Sequence, residues 1–414
     1  DQHLLPGRQR LRPVKLAYLS TLYPAYVTAF AGRALSGRSF ESWRSELERD
    51  AFGWAGAWGP ALEPLGWTVE EMWLNLEPMQ HAWARERGSL PDDASLADIA
   101  LAQIERFQPD VLWYDHHDVA LLDRIRARCP SLRACVGWTG SVLQDSPIWR
   151  SFDLVLSCAP ETVEALSAGG AKAALLTHAF NERVLESLGR RKPALDVSLV
   201  GQIAADHPLH AHRERLLDAL LAEIDITVFS PTAEVRAPSQ AAVFPRRLLY
   251  AGAQSLRRAG LSESTLRRLP LLGRAAGWPT APRGPLPARL RRALRPGRFG
   301  LAMYRALRDS RVTLNVHGGS NTRFTSNMRL FEATGVGTCL LTDAADNLSE
   351  LFEPGREVAA FRDEAECRER IRWLLANERE REAIARAGQA RCLAQHTFRH
   401  RAPRLVELLR GVTR

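Results

Sequence analysis

Hydrophobic positions along the chain form short runs, and amphipathic segments separate them. Val14–Ser20 is one such run and ends at a polar, proline-containing loop, while Asp110–Tyr114 is a second. Between them, Leu96–Phe107 repeats apolar residues at helical spacing. This alternation predicts an α/β fold with parallel strands and helices on both faces of the sheet. Further strands of the first half are predicted at Trp67–Leu74, Leu132–Val136, Asp153–Leu156 and Ala173–Leu176.

A polar, charged segment, Gly189–Pro193, precedes a new apolar run at Val197–Val200. Since 414 residues usually form more than one domain, we place a domain boundary there. We expect two Rossmann-like lobes whose parallel sheets face a cleft. The first domain would span 13–188 and the second 196–395. Residues 396–414 would form a C-terminal helix that could pack back on the first lobe.

The most informative stretch of the second half is Ser326–Gly337. It follows an apolar run at Val312–Val316 and precedes another at Thr338–Asp343. This order predicts a strand, a loop with paired glycines, a helix beginning at Ser326 or Asn327 and ending near Gly335, and a buried strand. The unpaired N–H groups at a helix N-terminus bind anions. With His317, Arg323 and Arg329 close in sequence, the segment would suit a diphosphate.

The net charge of +9 comes almost entirely from arginine, since the chain has only three lysines. The arginines are spread out and lack the interleaved aromatic residues of nucleic-acid binders, so no nucleic-acid partner is expected. The one dense stretch runs from Arg257 to Arg298. A solvated insertion is the favoured interpretation, and a surface for an acidic acceptor or partner is the alternative.

No run approaches the roughly 18 apolar residues of a membrane span, and the start has no apolar signal core, so we expect a soluble protein without a membrane span. The six cysteines include no Cys-x-x-Cys pair. Buried thiols in a reducing cytoplasm fit this pattern best, and we assign no metal site.

Several motifs of the second half occur in a specific order and spacing. They are Asn315-Val316-His317, residues 327–335, Leu341-Thr342-Asp343, Glu350-Leu351-Phe352, Gly355, Glu357-Val358, Ala387-Gly388-Gln389 and His396-Thr397. Over these positions, about a hundred residues, the chain is similar to CgeB-like glycosyltransferases of the family 1 type with a GT-B fold. The first half resembles them only in its general pattern. The resemblance implies a GT-B fold in which domain 13–188 binds the acceptor and domain 196–395 binds the nucleotide sugar.

The resemblance implies that the second lobe binds a nucleotide-diphosphate sugar. Glu332 would hold the ribose hydroxyls, although an acid stabilised by the helix dipole is the alternative. Asn327, Met328 and Arg329 would contact the diphosphate. Arg329 could equally form a structural ion pair within the protein. The remaining donor candidates are His317, which could instead be structural, Arg323, and Gly201, which could serve only a turn. Ser230-Pro231 and residues 341–347 rank below them.

Retaining enzymes of this fold often carry a second acid eight positions before the first, and here that position is Phe324. The stereochemistry therefore stays open, and an inverting enzyme would need a base from the first lobe. His116 backed by Asp115 is the candidate catalytic pair. The alternative is that Asp118 caps a helix and its neighbours are solvated. A metal site is disfavoured, because adjacent residues point in different directions.

Three aromatic residues follow the first-lobe strands and could line the acceptor side. They are Tyr23 and Tyr26, in the loop after the first strand, and Trp138, which begins Trp138–Ser141. Aromatic faces suit sugars and planar acceptors, whereas core packing is the commoner role of a tryptophan.

These expectations describe a metal-independent, hexosyltransferase-like enzyme that moves a sugar from a nucleotide-diphosphate sugar to a hydroxyl-bearing small molecule, glycan or protein. No cofactor is expected beyond that donor substrate. Two alternatives remain: a nucleotide-sugar epimerase of the same fold, and a non-catalytic nucleotide- or partner-binding protein.

Overall fold

The computed structural model of the chain describes residues 13–33, 37–87, 90–91, 93–140, 143, 146–203, 211–234, 240–278, 281–282, 284–317 and 323–413. The predicted glycine pair Gly318-Gly319 and Ser141 lie outside these ranges. The chain divides into two compact units. Unit 1 comprises Asp1–Ser187, Ser326–Phe331 and Cys392–Arg414, and unit 2 comprises Leu188–Thr325 and Glu332–Arg391.

Unit 1 is built on a six-stranded parallel sheet in the order β2-β1-β3-β4-β5-β6. Its central strands are buried apolar runs, as expected for a sheet covered on both faces. From β1 the chain proceeds to β2 on one side and then to β3 on the other, so the order reverses between β1 and β3. The strands are β1 (Val14–Ser20), β2 (Trp67–Trp73), β3 (Val111–Tyr114), β4 (Ala134–Thr139), β5 (Leu154–Ser157) and β6 (Ala173–Leu175).

The helices of the first half begin and end at residues suited to caps. Ser95 caps α5 by accepting a hydrogen bond from the Asp98 N–H at 3.2 Å, and Gln108 ends it with φ +51°, just before Pro109. The helices are α1 (Pro24–Ala31), α2 (Phe40–Asp50), α3 (Trp58–Leu62), α4 (Glu77–Arg87), α5 (Leu96–Phe107), α6 (Val119–Arg128), α7 (Pro160–Ala168) and α8 (Val184–Leu188).

Unit 2 has a second six-stranded parallel sheet, in the order β12-β11-β10-β7-β8-β9. From β7 the chain proceeds outward through β8 and β9 and then returns to β10 on the other side of β7. In such sheets, ligands bind outside the carboxyl ends of the strands where the order reverses, here between β7 and β10. The strands are β7 (Leu195–Val200), β8 (Thr227–Phe229), β9 (Leu294–Arg295), β10 (Ser310–Asn315), β11 (Cys339–Asp343) and β12 (Ala359–Phe361).

The arginine-dense stretch is largely helical, which the sequence did not reveal. Its first helix, α10, begins well before Arg257 and contains Pro245. The remaining helices are α9 (Ala211–Leu220), α10 (Gln240–Arg258), α11 (Glu263–Arg267), α12 (Leu272–Ala276), α13 (Ala288–Ala293), α14 (Gly300–Arg308), α15 (Arg329–Gly335), α16 (Leu348–Leu351), α17 (Glu364–Ala376), α18 (Glu378–Gln395) and α19 (Phe398–Arg410).

Candidate functional site

Arg213 bridges the point where the strand order of unit 2 reverses. It lies in the first turn of α9, the helix that follows β7. Its Nη1 donates to the main-chain oxygen of Gln202, just beyond β7, at 2.8 Å, and its Nη2 donates to that of Val316, just beyond β10. A half-buried guanidinium is thereby fixed at the carboxyl edge of the sheet. The positive charge lies where α/β sheets bind phosphorylated ligands.

Gly201 directly follows β7 and lies beside this guanidinium. Its N–H donates to the Phe229 oxygen at 3.0 Å, and its φ is not in the left-handed region, so the backbone conformation does not require glycine. A Cβ at this position would lie 3.4 Å from Arg213 Nη1. Because Gly201 has no side chain, it does not cover that face of the Arg213 guanidinium.

His317 follows β10 and is held on both sides by protein groups. Its main-chain N–H donates to Asp343 Oδ2 at 3.0 Å, its ring Nδ1 contacts Asp343 Oδ1, and its Nε2 contacts Thr325 Oγ1. The side chain is 8% exposed. Donating from Nε2 to a phosphate or sugar would mean replacing the contact with Thr325, so the predicted donor role of His317 stays a prediction.

Asp343 ends β11 beside this imidazole. Burial alone would raise the pKa of its carboxyl, but the hydrogen bonds and the charge of His317 outweigh burial and hold the pKa below its usual value. Asp343 is therefore ionised at neutral pH. The neighbouring strand ends are also joined, because Asn315 Nδ2 donates to Thr342 Oγ1 at 3.0 Å. The edge of the sheet is thus a preorganised polar network.

The helix predicted to begin at Ser326 or Asn327 begins instead at Arg329. The side chain of Asn347 accepts from the Thr325 N–H at 2.8 Å and donates to the Thr325 oxygen at 3.0 Å. These bonds occupy the backbone groups that would otherwise enter a helical turn, which accounts for the later start.

Glu332 lies in the first turn of α15 and is 4% exposed. The end of α15 is secured by α18, where Gln389 Nε2 donates to the Gly335 oxygen at 3.0 Å. A Cβ at Gly388 would lie 2.3 Å from the Glu357 oxygen, so only glycine allows this close approach. Gln389 of the Ala387-Gly388-Gln389 motif therefore holds the end of the helix that carries Glu332, while Gly388 allows α18 to approach the main chain at Glu357.

The other donor candidates of this stretch differ in exposure. Asn327, Met328 and Arg329 are half-buried at the start of α15. Arg323 is exposed, and its Nε donates to Asp346 Oδ2 at 2.8 Å while its guanidinium lies 4.9 Å from the centre of the Phe324 ring. Arg323 therefore has a surface ion-pair partner in this structure, and its predicted donor contact remains a prediction.

In unit 1, Asp115 follows β3 where the strand order reverses beside β1. Its Oδ2 accepts from Ser20 Oγ at 2.7 Å and from the Tyr18 hydroxyl at 3.4 Å. Burial raises the pKa of Asp115 to about 6, although both hydrogen bonds oppose the shift. A carboxylate with this pKa is suited to general-base chemistry near neutral pH.

The predicted pairing of His116 with Asp115 does not form, because the Asp115 carboxylate is directed to β1 instead. Within the part of the chain that the structure describes, no hydrogen bond joins the two side chains. The His116 ring packs edge-on against Tyr114 at 6.0 Å between centroids, and burial lowers its pKa. The alternative for Asp118 is confirmed, since its side chain caps α6 by accepting from the Leu121 N–H at 3.0 Å.

The prediction that Tyr26 lies in a loop and lines the acceptor side is wrong in its geometry. Pro24 occupies the first turn of α1, so Tyr26 lies on the inner face of a helix and is 0% exposed. Its hydroxyl donates to Asp50 Oδ2 at 2.9 Å. Tyr23, in contrast, is 69% exposed and packs edge-on against Phe52.

We predict that Tyr26→Phe lowers the free energy of unfolding by about 1–2 kcal/mol, because it removes one hydrogen bond to a buried carboxylate. Asp50 retains its ion pair with Arg33 at 3.2 Å. Denaturant unfolding measures the loss. A change in acceptor KM without a change in stability would contradict the structural role of Tyr26.

Trp138 belongs to an aromatic cluster of unit 1. Its ring lies 4.5 Å from Trp54 and 5.7 Å from His178 between centroids, and Trp54 lies 5.4 Å from Trp113. Tyr18 packs on the cluster, 5.0 Å from Trp113, and reaches Asp115 with its hydroxyl. The cluster and the carboxylate are therefore neighbours in one unit.

Several buried polar atoms of this cluster have no hydrogen-bond partner among the described residues: Trp54 Nε1, Trp58 Nε1, Trp113 Nε1, Glu71 Oε1 and His178 Nδ1. Burial, together with the charge of Arg401, lowers the pKa of His178 to about 3, so its ring is neutral. Burial raises the pKa of Glu71 to about 8. At neutral pH the His178 ring and most of the Glu71 carboxyl are therefore uncharged.

In the part of the chain that the structure describes, no three or more His, Cys, Asp or Glu side chains converge as metal ligands would. None of the described helices combines the length and apolar character needed to cross a lipid bilayer. All six cysteines lie among the described residues, where they are buried and form no disulfide.

Residues 246–407 match the family described as "Glycosyl transferase-like". This segment is similar to glycosyl transferase-like domains. It includes His317, Asp343 and Glu332, while Gly201 and Arg213 precede it. The predicted resemblance to family 1-type glycosyltransferases is confirmed at this level, whereas the narrower CgeB-like assignment is not shown. No curated protein has a significantly similar sequence.

Solved structures match almost the whole chain and establish its fold as GT-B. A glycosyltransferase from Rickettsia africae is 7% identical with a TM-score of 0.54, covering 97% of this chain and 99% of that one. Sucrose-phosphate synthase from Thermosynechococcus elongatus is 12% identical with a TM-score of 0.50, covering 96% and 98%. HepE of Anabaena, in complex with UDP and glucose, is 13% identical with a TM-score of 0.50, covering 96% and 100%.

The sequence pattern does not single out Arg213 as a candidate functional residue. The signal was present, because it is a basic residue in the first turn of the helix that follows the first strand of a βαβ unit. It was not decisive, because the chain contains many arginines. Its bonds to the ends of β7 and β10 depend on strand order, which the sequence alone does not give.

Proposed function

We propose that the protein is a glycosyltransferase that moves a sugar from a nucleotide-diphosphate sugar to a hydroxyl-bearing acceptor. The observation that carries this proposal is the position of Arg213, whose guanidinium is fixed between the carboxyl ends of β7 and β10. A diphosphate is the group that such a site would favour. The glycosyl transferase-like domain supports the same chemistry.

On this proposal the donor binds along the carboxyl edge of the unit 2 sheet. Arg213 would neutralise the diphosphate, and Gly201 would leave its guanidinium accessible. Glu332 would accept hydrogen bonds from the ribose hydroxyls, with Asn327, Met328 and Arg329 contacting the diphosphate. Because HepE, which shares the GT-B fold, is known in complex with UDP and glucose, UDP and UDP-glucose are the first compounds to test.

The acceptor would bind in unit 1 beside the aromatic cluster that includes Trp138. The acceptor hydroxyl oxygen would attack the anomeric carbon, and the bond from that carbon to the diphosphate oxygen would break. Asp115 would take the hydroxyl proton, while Arg213 would stabilise the charge on the departing diphosphate. Phe324 occupies the position where retaining enzymes of this fold often carry a second acid, so the stereochemistry stays open, and an inverting reaction would use the base in unit 1.

The proposal is tested by product analysis. The purified protein is incubated with a nucleotide sugar that it binds and with a mixture of hydroxyl-bearing acceptors, and the products are identified by mass spectrometry. We expect free nucleotide diphosphate and an acceptor whose mass has increased by one sugar residue. Conversion of the donor to its epimer, without an acceptor adduct, would instead support an epimerase. Binding without any conversion would favour a non-catalytic nucleotide-binding protein.

A further inference from the structure

The segment from Gln240 to Arg298 concentrates the positive charge of the molecule. It contains thirteen arginines and one acidic residue, Glu263, whereas the whole chain has a net charge of only +9. The rest of the chain is therefore slightly acidic. Most of these arginines are exposed to solvent: Arg246, Arg247, Arg258, Arg267, Arg268, Arg274, Arg289, Arg291, Arg292, Arg295 and Arg298.

The same segment exposes large apolar side chains. On α10, Phe244 is 64% exposed and Leu248 is 59% exposed. These two residues are one helical turn apart and form, with Ala241, Ala251 and Ser255, an exposed stripe at alternating spacings of three and four residues, which we call the α10 stripe.

The opposite face of α10 is packed within unit 2, so the exposure of the α10 stripe is not a sign of an unfolded helix. Val243 and Ala253 are each 1% exposed. Arg246 lies over the Trp278 ring at 5.5 Å, and Arg247 Nε donates to the Pro282 oxygen at 2.8 Å. The helix is therefore held with one face inward and the α10 stripe outward.

A second exposed leucine lies nearby in sequence, at the start of α12. Leu271 is 67% exposed and has a φ of +64°, a conformation that branched residues seldom adopt. Leu271 is therefore a further large apolar side chain that the segment exposes to solvent.

Helices that lie in the surface of an anionic bilayer combine exposed apolar side chains with many basic residues. The segment around α10 has both features. Single-stranded nucleic acid would also attract the arginines, but it binds through several stacking aromatics. Here Trp278 is partly covered by Arg246, which leaves Phe244 as the exposed aromatic ring among the described residues of this segment. Binding of an acidic protein would explain the many arginines but not the exposed apolar side chains of the α10 stripe.

We propose that the α10 stripe and the arginines around it form a docking surface for a membrane that contains anionic lipids. The apolar side chains would enter the boundary between headgroups and acyl chains, while the arginines contact the lipid phosphates. Glycosyl transfer does not require this surface, so the inference is independent of the proposed function.

The full-length protein is tested for co-flotation with phosphatidylcholine vesicles, with and without phosphatidylglycerol. We expect binding only to the anionic vesicles, with at least about a tenfold loss in Phe244→Ser/Leu248→Ser and a loss with added salt. Trp373→Ser is the matched control, since Trp373 is 41% exposed on α17, and it should bind like the wild type. Unchanged melting temperatures establish that the variants are folded.

A second measurement does not depend on loss of binding. Because all six native cysteines are buried, Phe244→Cys and Trp373→Cys can be labelled selectively with a polarity-sensitive dye. Anionic vesicles should increase and blue-shift the emission at position 244 and leave position 373 unchanged. Absence of vesicle binding by the wild type, equal binding by the double variant, or a response to single-stranded DNA or polyglutamate in place of vesicles would overturn the proposal.

Discussion

Glu332→Gln is expected to weaken the binding of the nucleotide-diphosphate sugar by about 10- to 150-fold, while the fold is retained. The amide has nearly the same shape but no charge, so the hydrogen bonds from the ribose hydroxyls lose about 1.5–3 kcal/mol. Isothermal titration calorimetry of the wild type and the variant measures the difference directly.

The matched control for this variant is Glu353→Gln. Glu353 is an exposed acid of the same unit, and its side chain pairs with Arg356 at 2.8 Å. Its replacement should leave the donor affinity within about twofold, since exposed ion pairs contribute little. Equal affinities of Glu332→Gln and the wild type would mean that the donor site has been assigned to the wrong residues.

Asp115→Asn is expected to lower kcat by about 10²- to 10⁴-fold, the usual contribution of a general base. The hydrogen bond from Ser20 can be kept by the amide oxygen, so the loss should appear in the rate rather than in the fold. Asp118→Asn is the control, because asparagine caps a helix as well as aspartate does. An Asp115→Asn enzyme with wild-type kcat would exclude this carboxylate as the base.

The pH dependence provides a second test of Asp115. Since burial raises the pKa of this carboxyl to about 6, the base is ionised above that pH, and kcat/KM should rise to a plateau as the pH passes through it. Stability should change in the opposite direction. The pKa of Asp115 in the folded protein exceeds its value of about 3.9 in the unfolded chain. The protonated carboxyl therefore stabilises the fold fully below a pH of about 3.9, and this stabilisation is lost as the pH rises through about 6.

Asp115→Asn removes the buried charge without removing the shape of the side chain. Its melting temperature at pH 7.5 should therefore equal or exceed that of the wild type, although its activity is lower. Wild-type activity that stays constant between about pH 5 and 8 would be inconsistent with a base of this pKa.

Much of the fold follows from local sequence. The strands β1, β3 and β10 are continuous apolar runs followed by polar or proline residues, so pattern alone predicts them. Local pattern does not predict α10, because the helix contains Pro245 in its interior, where proline usually interrupts a helix. The pattern also favours a loop at Tyr26, although Pro24 before it is a typical first residue of a helix.

The candidate sites are harder to predict, because they depend on strand order and side-chain direction. His116 and Asp115 are adjacent after a strand, and adjacent side chains there diverge, so Asp115 reaches Ser20 and His116 packs on Tyr114. The partners of Arg213 are separated from it in sequence, at Gln202 and Val316. Only the parallel pairing of β7 with β10 brings these positions together.

The central claim is that the carboxyl edge of the second sheet binds a nucleotide diphosphate and its sugar. A thermal-shift screen of nucleoside diphosphates and nucleotide sugars, beginning with UDP and UDP-glucose, tests it most directly. A ligand that binds only the folded state raises the melting temperature increasingly with its concentration. We expect at least one diphosphate and its sugar conjugate to do so, and no shift with any of them would contradict the claim.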